Sequence, residues 1–175
     1  MTWMKLGEVE IGRIVESNGP FMSVYDFFPD ATPELLAPHR HWLDQGALDP
    51  RTDELIMPIQ SYVVRTPRHV VLVDSCVGNH KSVKWYPAWD QMNGTSYLAG
   101  LATLGLRPED IDVVLCSHLH VDHSGWNTRW QDGRWHPTFP NARYILSKKE
   151  VEGAEYLHTK YGDPTYAENV LPVIE

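Results

Sequence analysis

The feature that most constrains this chain is a dense group of metal-binding side chain types, Ser117-His118-Leu119-His120-Val121-Asp122-His123. It directly follows residues 111–116, a β-branched apolar run that predicts a buried strand. Side chains at positions i and i+2 of an extended segment point the same way, so His118 and His120 are expected to face one metal ion. Asp122 and His123 follow where the chain turns and are expected to face a second ion.

Imidazole and carboxylate ligands suit zinc, and they also suit manganese, iron or cobalt. Two such ions roughly 3.5–4 Å apart can hold one hydroxide between them and polarise a substrate oxygen. Water bound to zinc loses its proton at a pKa of about 7, which supplies a nucleophile without serine or cysteine. The alternative is a histidine-rich surface turn without function, which fits poorly with its place directly after a buried strand.

Composition narrows the class of protein. The 175 residues are compatible with one domain, and with 42% hydrophobic and 22% charged residues the chain can bury a core. A formal net charge of -8 argues against nucleic acid as the main partner, because phosphate binding needs a basic face. No basic start followed by an apolar run opens the sequence, so we expect a cytoplasmic protein without membrane contact. Cys76 and Cys116 are too few for a disulfide framework and are expected to be buried thiols.

The hydrophobic pattern predicts a layered α/β protein. A first strand covers residues 8–16, and a proline-rich excursion follows over residues 26–56, with a helix start at Thr32-Pro33. Further strands are predicted at residues 59–65, 69–73, 111–116 and 143–146, of which the first two form a hairpin. Helices are predicted at residues 96–104, 148–161 and 165–174. We treat residues 1–175 as a single domain that contains this excursion and is incomplete at its C-terminus.

The segment from Ser117 to His123 resembles the HxHxDH signature of the metallo-β-lactamase superfamily. Residues 71–75, Val-Leu-Val-Asp-Ser, resemble the earlier strand motif of that family, which ends in a buried aspartate. Residues 123–127 and 139–142 are similar to its lactonase and methyl-parathion-hydrolase-like branch. The resemblance covers most of residues 55–160. It implies an αββα sandwich of which this chain carries the N-terminal half.

The resemblance also implies roles for individual residues. His118 and His120 would bind the first zinc ion, and Asp122 and His123 the second. Asp74 would support the ligand loop through hydrogen bonds, the alternative being an ordinary turn aspartate at a strand end. Asp122 would in addition act in catalysis, helping to move a proton to the leaving group.

The implied activity is hydrolysis of a small molecule, a lactone, ester, amide or organophosphate, by a metal-bound hydroxide. Trp126 would either line the substrate pocket or pack beneath the ligand loop. One alternative is a glyoxalase II-like thioester hydrolase or an iron-dependent sulfur dioxygenase, since those branches share the same motif. Another is an inactive truncated half-domain that acts as a structural or oligomerising module.

The sequence departs from the family after His123. Family members complete the site from a C-terminal half that adds a third histidine, a bridging aspartate and a last histidine. Here only His136 and His158 follow, and neither lies in a Gly-His-Thr-Pro-Gly-His context. Two ligands for each metal fall short of the usual three of a catalytic zinc. We therefore expect the missing C-terminal half, or a second chain such as another copy, to complete the site and to cover an open apolar sheet face.

Overall fold

The computed structural model describes residues 3–174. They fall into two compact units. The first unit consists of the chain up to Glu16 together with the chain from Gln60 onwards, and the second is Ser17–Ile59. Within residues 3–174, no helix is both long enough and apolar enough to cross a membrane.

Six strands form a mixed sheet, in the spatial order β1-β2-β3-β4-β5-β8. Their bounds are β1 Met4–Leu6, β2 Val9–Ser23, β3 Glu54–Arg65, β4 Val70–Val73, β5 Val113–Leu115 and β8 Arg143–Ile145. A separate two-stranded ribbon is formed by β6 Thr128–Gln131 and β7 Arg134–Pro137. β3 and β4 pair antiparallel, which confirms the predicted hairpin, and β4, β5 and β8 run parallel. The mixed sheet with its helices confirms the predicted α/β class.

The helices are mostly short. They are α1 Val24–Phe27, α2 Pro33–Leu36, α3 Arg40–Leu43, α4 Ser96–Thr103, α5 Val121–Ser124, α6 Lys148–Tyr161 and α7 Leu171–Ile174, with 3-10 turns at Ala37–His39, Pro108–Asp110 and Gly125–Asn127 and a π-helical turn at Tyr166–Val170. α6 has the predicted bounds and ends at Gly162, whose φ of 72° suits a left-handed C-terminal cap. In the second unit, the Thr32 side chain accepts the Leu35 N–H ahead of Pro33, as the predicted helix start requires.

The two faces of the sheet differ in burial. Register places Val63, Leu72 and Val114 side by side, and all three are fully buried. α4 lies over this side, because a Cβ on its Gly100 would lie 2.9 Å from Cγ2 of Ile14 in β2. This close approach needs glycine, and it brings the buried Tyr97 and Leu101 into the core.

The opposite face is apolar and open. Tyr62, Val73, Leu115 and Ile145 form one row across β3, β4, β5 and β8. Tyr62, Leu115 and Ile145 are 42%, 38% and 47% exposed. We call this row the open face. Within residues 3–174, it is more exposed than the opposite face, which is fully buried at Val63, Leu72 and Val114. An apolar row across four strands is more than the scattered surface residues of a typical monomer.

Some boundaries differ from the sequence prediction. The first long strand is predicted over residues 8–16 but continues to Ser23. The strand predicted over residues 111–116 is three residues long. The helix predicted over residues 165–174 divides into the π-helical turn and α7. These differences arise because pairing with neighbouring strands and local packing fix the ends of elements, whereas hydrophobic periodicity fixes only their centres.

Because the two faces of the sheet differ in burial, a valine-to-alanine substitution should lower the free energy of unfolding by different amounts at two adjacent positions. Val114→Ala removes two methyl groups from the buried face and should lower the free energy of unfolding by about 2–3 kcal/mol. Val113→Ala makes the same change on the partly exposed side and should cost less than about 1 kcal/mol. Denaturant unfolding of the two variants measures both values. Equal losses would show that the two faces are equally covered.

Candidate metal centre

The candidate site lies where two parallel strands end. β4 and β5 are neighbours, so Asp74 and Ser117, which follow them, emerge at the same edge of the sheet. The ladder continues one step further, because the Asp74 N–H donates to the Leu115 carbonyl at 2.8 Å. α5 then begins directly after His120, so the chain turns between the first two histidines and the Asp122-His123 pair.

Asp74 is the organising side chain of this edge. Its φ of 58° lies in the left-handed region, which is rare for a residue with a side chain and is often found at functional sites. Its Oδ1 accepts the Ser117 N–H at 2.7 Å. Its Oδ2 accepts the Ser117 hydroxyl at 2.9 Å and interacts with His123 Nδ1 at 2.9 Å. One carboxylate thus holds both ends of the histidine segment.

These hydrogen bonds decide where the imidazole protons lie. A carboxylate only accepts, so the Ser117 hydroxyl must donate to Asp74. Its oxygen then accepts from His118 Nδ1 at 3.1 Å, which leaves His118 Nε2 with a free lone pair. That lone pair faces Nδ1 of His120 at 3.2 Å, so in the metal-free protein the His120 proton lies on Nδ1, and it must leave that nitrogen before Nδ1 can bind a metal. By the same rule, His123 donates from Nδ1 to Asp74.

The four predicted ligands form two pairs of donor atoms. His118 Nε2 and His120 Nδ1 lie 3.2 Å apart, and His123 Nε2 and Asp122 Oδ2 also lie 3.2 Å apart. Zinc bonds of about 2.0–2.1 Å in a tetrahedron place two ligand atoms about 3.3 Å apart. Each pair therefore fits one edge of such a tetrahedron. The rings also converge, with the His118 centroid 4.6 Å from that of His120 and 4.0 Å from that of His123.

The pKa shifts describe the second pair without metal. Hydrogen bonds to Asp122 and to Asp74 raise the pKa of His123 to about 9, so its ring is a cation at neutral pH. Burial raises the pKa of Asp122, but the hydrogen bond and charge of His123 outweigh it and the net pKa is lowered. The same balance lowers the pKa of Asp74, where Ser117 adds two hydrogen bonds. A metal cation would take the place of the proton that lies between His123 and Asp122.

The donor set is incomplete. Within residues 3–174 there is no group of three or more His, Cys, Asp or Glu side chains placed to hold one metal ion. The chemistry of the two pairs fits zinc, but each pair supplies two donors.

The ligand turn is bonded to the loop that follows β4. The Ser75 N–H donates to the His123 carbonyl, Gly125 N–H to the Cys76 carbonyl and Trp126 N–H to the Ser75 carbonyl, each at 2.8 Å. The two backbones are so close that a Cβ on Gly125 would lie 1.6 Å from a backbone oxygen of that loop. Gly125 is therefore required for the turn to reach its position.

Glu16 is a residue of this region that the sequence motifs did not indicate. Its half-buried carboxylate accepts the backbone N–H groups of Val77 at 2.8 Å and Gly78 at 3.3 Å, and the indole N–H of Trp126 at 2.5 Å. Burial raises the pKa of Glu16, and the three hydrogen bonds partly offset that rise. Glu16 therefore joins the loop that follows β4 to the ligand turn by hydrogen bonds. Because its partners lie 61 or more positions away, no local pattern could have found it.

Trp126 is placed in the core. It is 3% exposed, and its ring stacks on Tyr97 with centroids 5.0 Å apart and planes 9° apart. Of the two roles weighed for it, packing beneath the ligand loop is the one that this position favours.

One known protein family matches more than half of the chain. A sequence profile described as "Metallo-beta-lactamase superfamily" matches residues 56–173. The chain belongs to this superfamily. An N-acyl homoserine lactonase from Bacillus cereus is 29% identical over 112 residues, which are 58% of this chain and 41% of that protein. The N-acyl homoserine lactonase AiiB from Agrobacterium fabrum is 35% identical over 81 residues, 39% of this chain and 28% of that protein. The chain thus spans less than half the length of these relatives.

Solved structures share the fold. A probable metal-dependent hydrolase from Staphylococcus aureus superposes with a TM-score of 0.71 at 24% identity, covering 95% of this chain and 56% of that one. AidC, described as a dizinc quorum-quenching lactonase in complex with a product, gives a TM-score of 0.68 at 21% identity, covering 98% of this chain and 59% of that one. These superpositions confirm the metallo-β-lactamase fold over the part of those hydrolases that the chain spans.

The proton arrangement predicts a specific effect of Ser117. In the metal-free protein, nitrogen NMR shifts should show the proton of neutral His118 on Nδ1. Ser117→Ala removes the acceptor of that proton and should move it towards Nε2, whereas Ser117→Thr keeps the hydroxyl and should keep the wild-type tautomer. A wild-type tautomer in the alanine variant would contradict the relay from Asp74 through Ser117.

Proposed function

We propose that this protein is a metal-dependent hydrolase with two zinc ions, which acts on a lactone or a related ester, amide or organophosphate. The observation that supports it most is that the four predicted ligands form two pairs of donor atoms, each 3.2 Å apart. One ring in each pair is oriented by the Asp74 carboxylate. In His118 and His123, a hydrogen bond fixes the proton on Nδ1 and leaves Nε2 facing the other donor atom of its pair. Side chains that served only for packing would not need this arrangement.

Each residue has a definite role in this proposal. His118 and His120 hold the first ion through Nε2 and Nδ1, and Asp122 and His123 hold the second. Asp74 keeps the rings of His118 and His123 in place from behind, through Ser117 and directly. The two ions would supply a hydroxide near neutral pH and stabilise negative charge on the substrate oxygen. In this proposal Asp122 would also pass a proton to the leaving group.

The lactonase relatives support the choice of substrate class. The proteins from Bacillus cereus and Agrobacterium fabrum are both N-acyl homoserine lactonases, and the aligned segment of the latter is 35% identical. A lactone is an ester, so the chemistry of the site suits it without further groups. Zinc is the metal we propose, with manganese, iron or cobalt as substitutes that the same ligands accept. A single iron per chain would instead favour the sulfur dioxygenase alternative.

We propose further that protein surface outside residues 3–174 completes the site. Each metal needs at least one more protein ligand than the two that are present. The open face beside the site needs a cover as well. A C-terminal half packed on that face would satisfy both needs, and a second chain, including another copy of this one, is the alternative partner.

Removing one ligand from each pair tests the assignment. His120→Ala and Asp122→Ala in the full-length enzyme should lower kcat for lactone hydrolysis by at least 10²-fold, since the nucleophile depends on the ions. His69→Ala, at an exposed position outside the site, is the control and should leave turnover unchanged. Metal analysis by mass spectrometry accompanies each assay. Wild-type turnover with metal still bound in either ligand variant would refute the role of that residue.

Residues 1–175 expressed alone should behave as an incomplete protein. Because the open face is uncovered, we expect self-association or aggregation in sedimentation velocity runs, together with weak metal binding and no hydrolysis. The control is Leu115→Lys, which places a charge in the open face and should raise the monomer fraction. A stable and active monomer with two tightly held ions would show that the site needs no further ligands.

A further inference from the structure

A fully buried lysine lies outside the candidate site. Lys81 has no exposed surface, and this burial lowers the pKa of its amine well below the usual value for lysine. Nζ lies 2.6 Å from the Thr128 hydroxyl, 3.2 Å from the Glu168 carbonyl and 3.5 Å from the centroid of the Trp135 ring. Two hydrogen bonds and one ring contact thus surround Nζ, and burying an amine is costly unless such partners compensate it.

What Lys81 holds is the π-helical turn Tyr166–Val170. The Glu168 carbonyl accepts from Lys81 and from the Thr128 hydroxyl, and the Glu168 carboxylate accepts the Ser82 N–H at 3.0 Å. π-helical turns are rare and are frequently found at functional sites. This one is fixed through both the backbone and the side chain of a single residue.

The next residue of the turn reaches the metal ligands. Asn169 is fully buried, and its Nδ2 donates to the Ser124 hydroxyl at 3.1 Å. Ser124 in turn donates to the carbonyl of His120 at 2.9 Å. The orientation of the amide matters, because a side chain oxygen in place of Nδ2 would draw the Ser124 proton away from His120.

A second contact from the same part of the chain holds the other side of this segment. Glu150, in the first turn of α6, accepts the Leu119 N–H at 3.0 Å. Glu150 thus bonds directly to the peptide unit before Leu119, and Asn169 acts on the one after His120 through Ser124. The His120 carbonyl also accepts the backbone N–H groups of His123 and Ser124. Since the backbone between two held peptide units has little freedom, the spacing of the His118 and His120 rings depends on these contacts.

We propose that Asn169, held in place by Lys81, is a positioning residue for His120, acting through Ser124. This inference rests on the metal site proposed above. Its role is to keep His120 Nδ1 at the distance from His118 Nε2 that one ion requires. Asn169 itself touches neither the ion nor the substrate.

A double-mutant cycle tests the proposal in the full-length protein. Asn169→Ala and Ser124→Ala should each weaken Co²⁺ binding by about 10-fold, as measured by the visible absorption of the bound ion. Because both act through one chain of hydrogen bonds, the double variant should be no weaker than Ser124→Ala alone. Asn141→Ala is the matched control, since the Asn141 side chain amide also donates a hydrogen bond, to the Glu109 carbonyl, but is exposed and remote, and it should bind as the wild type does.

A metal-free measurement separates this inference from the proposed function. In Ser124→Ala, the carbonyl ¹³C resonance of His120 should move in the direction that marks the loss of a hydrogen bond, because the hydroxyl donor is gone. In Asn169→Ala it should move the same way by a smaller amount, because the Ser124 hydroxyl loses the partner that orients it. The control should leave the resonance unmoved. An unmoved resonance, or strictly additive effects on Co²⁺ binding, would overturn the role of Asn169. Absence of Co²⁺ binding at the histidines in the wild type would instead overturn the proposed function, and the carbonyl resonance would still decide the inference.

If Asn169→Ala does not fold, two further measurements test the proposal. Lys81→Met retains the length of the side chain without its donors, and it should weaken Co²⁺ binding in the same direction. In the wild type, the side chain amide protons of Asn169 should exchange slowly with solvent, because they are buried and bonded. Rapid exchange would overturn the contact with Ser124.

Discussion

The Asp74 carboxylate is the group on which the rest of the site depends, because it can accept hydrogen bonds but cannot donate them. That property forces the Ser117 hydroxyl to donate to it, and so directs the His118 proton to Nδ1. It likewise receives the Nδ1 proton of His123. Two rings that we propose bind two different ions are thus oriented by one group at the end of a buried strand. The left-handed backbone of Asp74 is what turns its carboxylate towards β5.

The parts of this molecule that the sequence could predict are those set by local periodicity and spacing. α6 has the predicted bounds because its apolar residues repeat with helical spacing and Gly162 ends it. The hairpin of β3 and β4 follows from two β-branched runs around Thr66-Pro67. The β6–β7 ribbon is absent from the predicted elements, although Asp132-Gly133 at its turn, with φ of 52° and 78°, is a strong hairpin signal.

The contacts that fix the site could not be predicted, because they join residues far apart in the chain. Glu16 and Trp126 are 110 positions apart, and Asn169 and Ser124 are 45 positions apart. Nothing in the neighbourhood of either Glu16 or Asn169 distinguishes it from an ordinary surface residue. The HxHxDH pattern places the donor types in one turn, whereas their relative orientation comes from these distant side chains. A motif therefore predicts the chemistry of the site better than its geometry.

The open face and the incomplete donor set arise from one arrangement of the chain. The row from Tyr62 to Ile145 lies on strands β3, β4, β5 and β8, and two of those strands end at the candidate site. A second layer that covered this row would reach the same edge of the sheet as Asp74 and Ser117. Its loops would then lie beside donor pairs that each lack a ligand. Burial of apolar surface and metal coordination, two independent physical requirements, would thus be satisfied by protein in the same place, which is why we propose one partner surface for both.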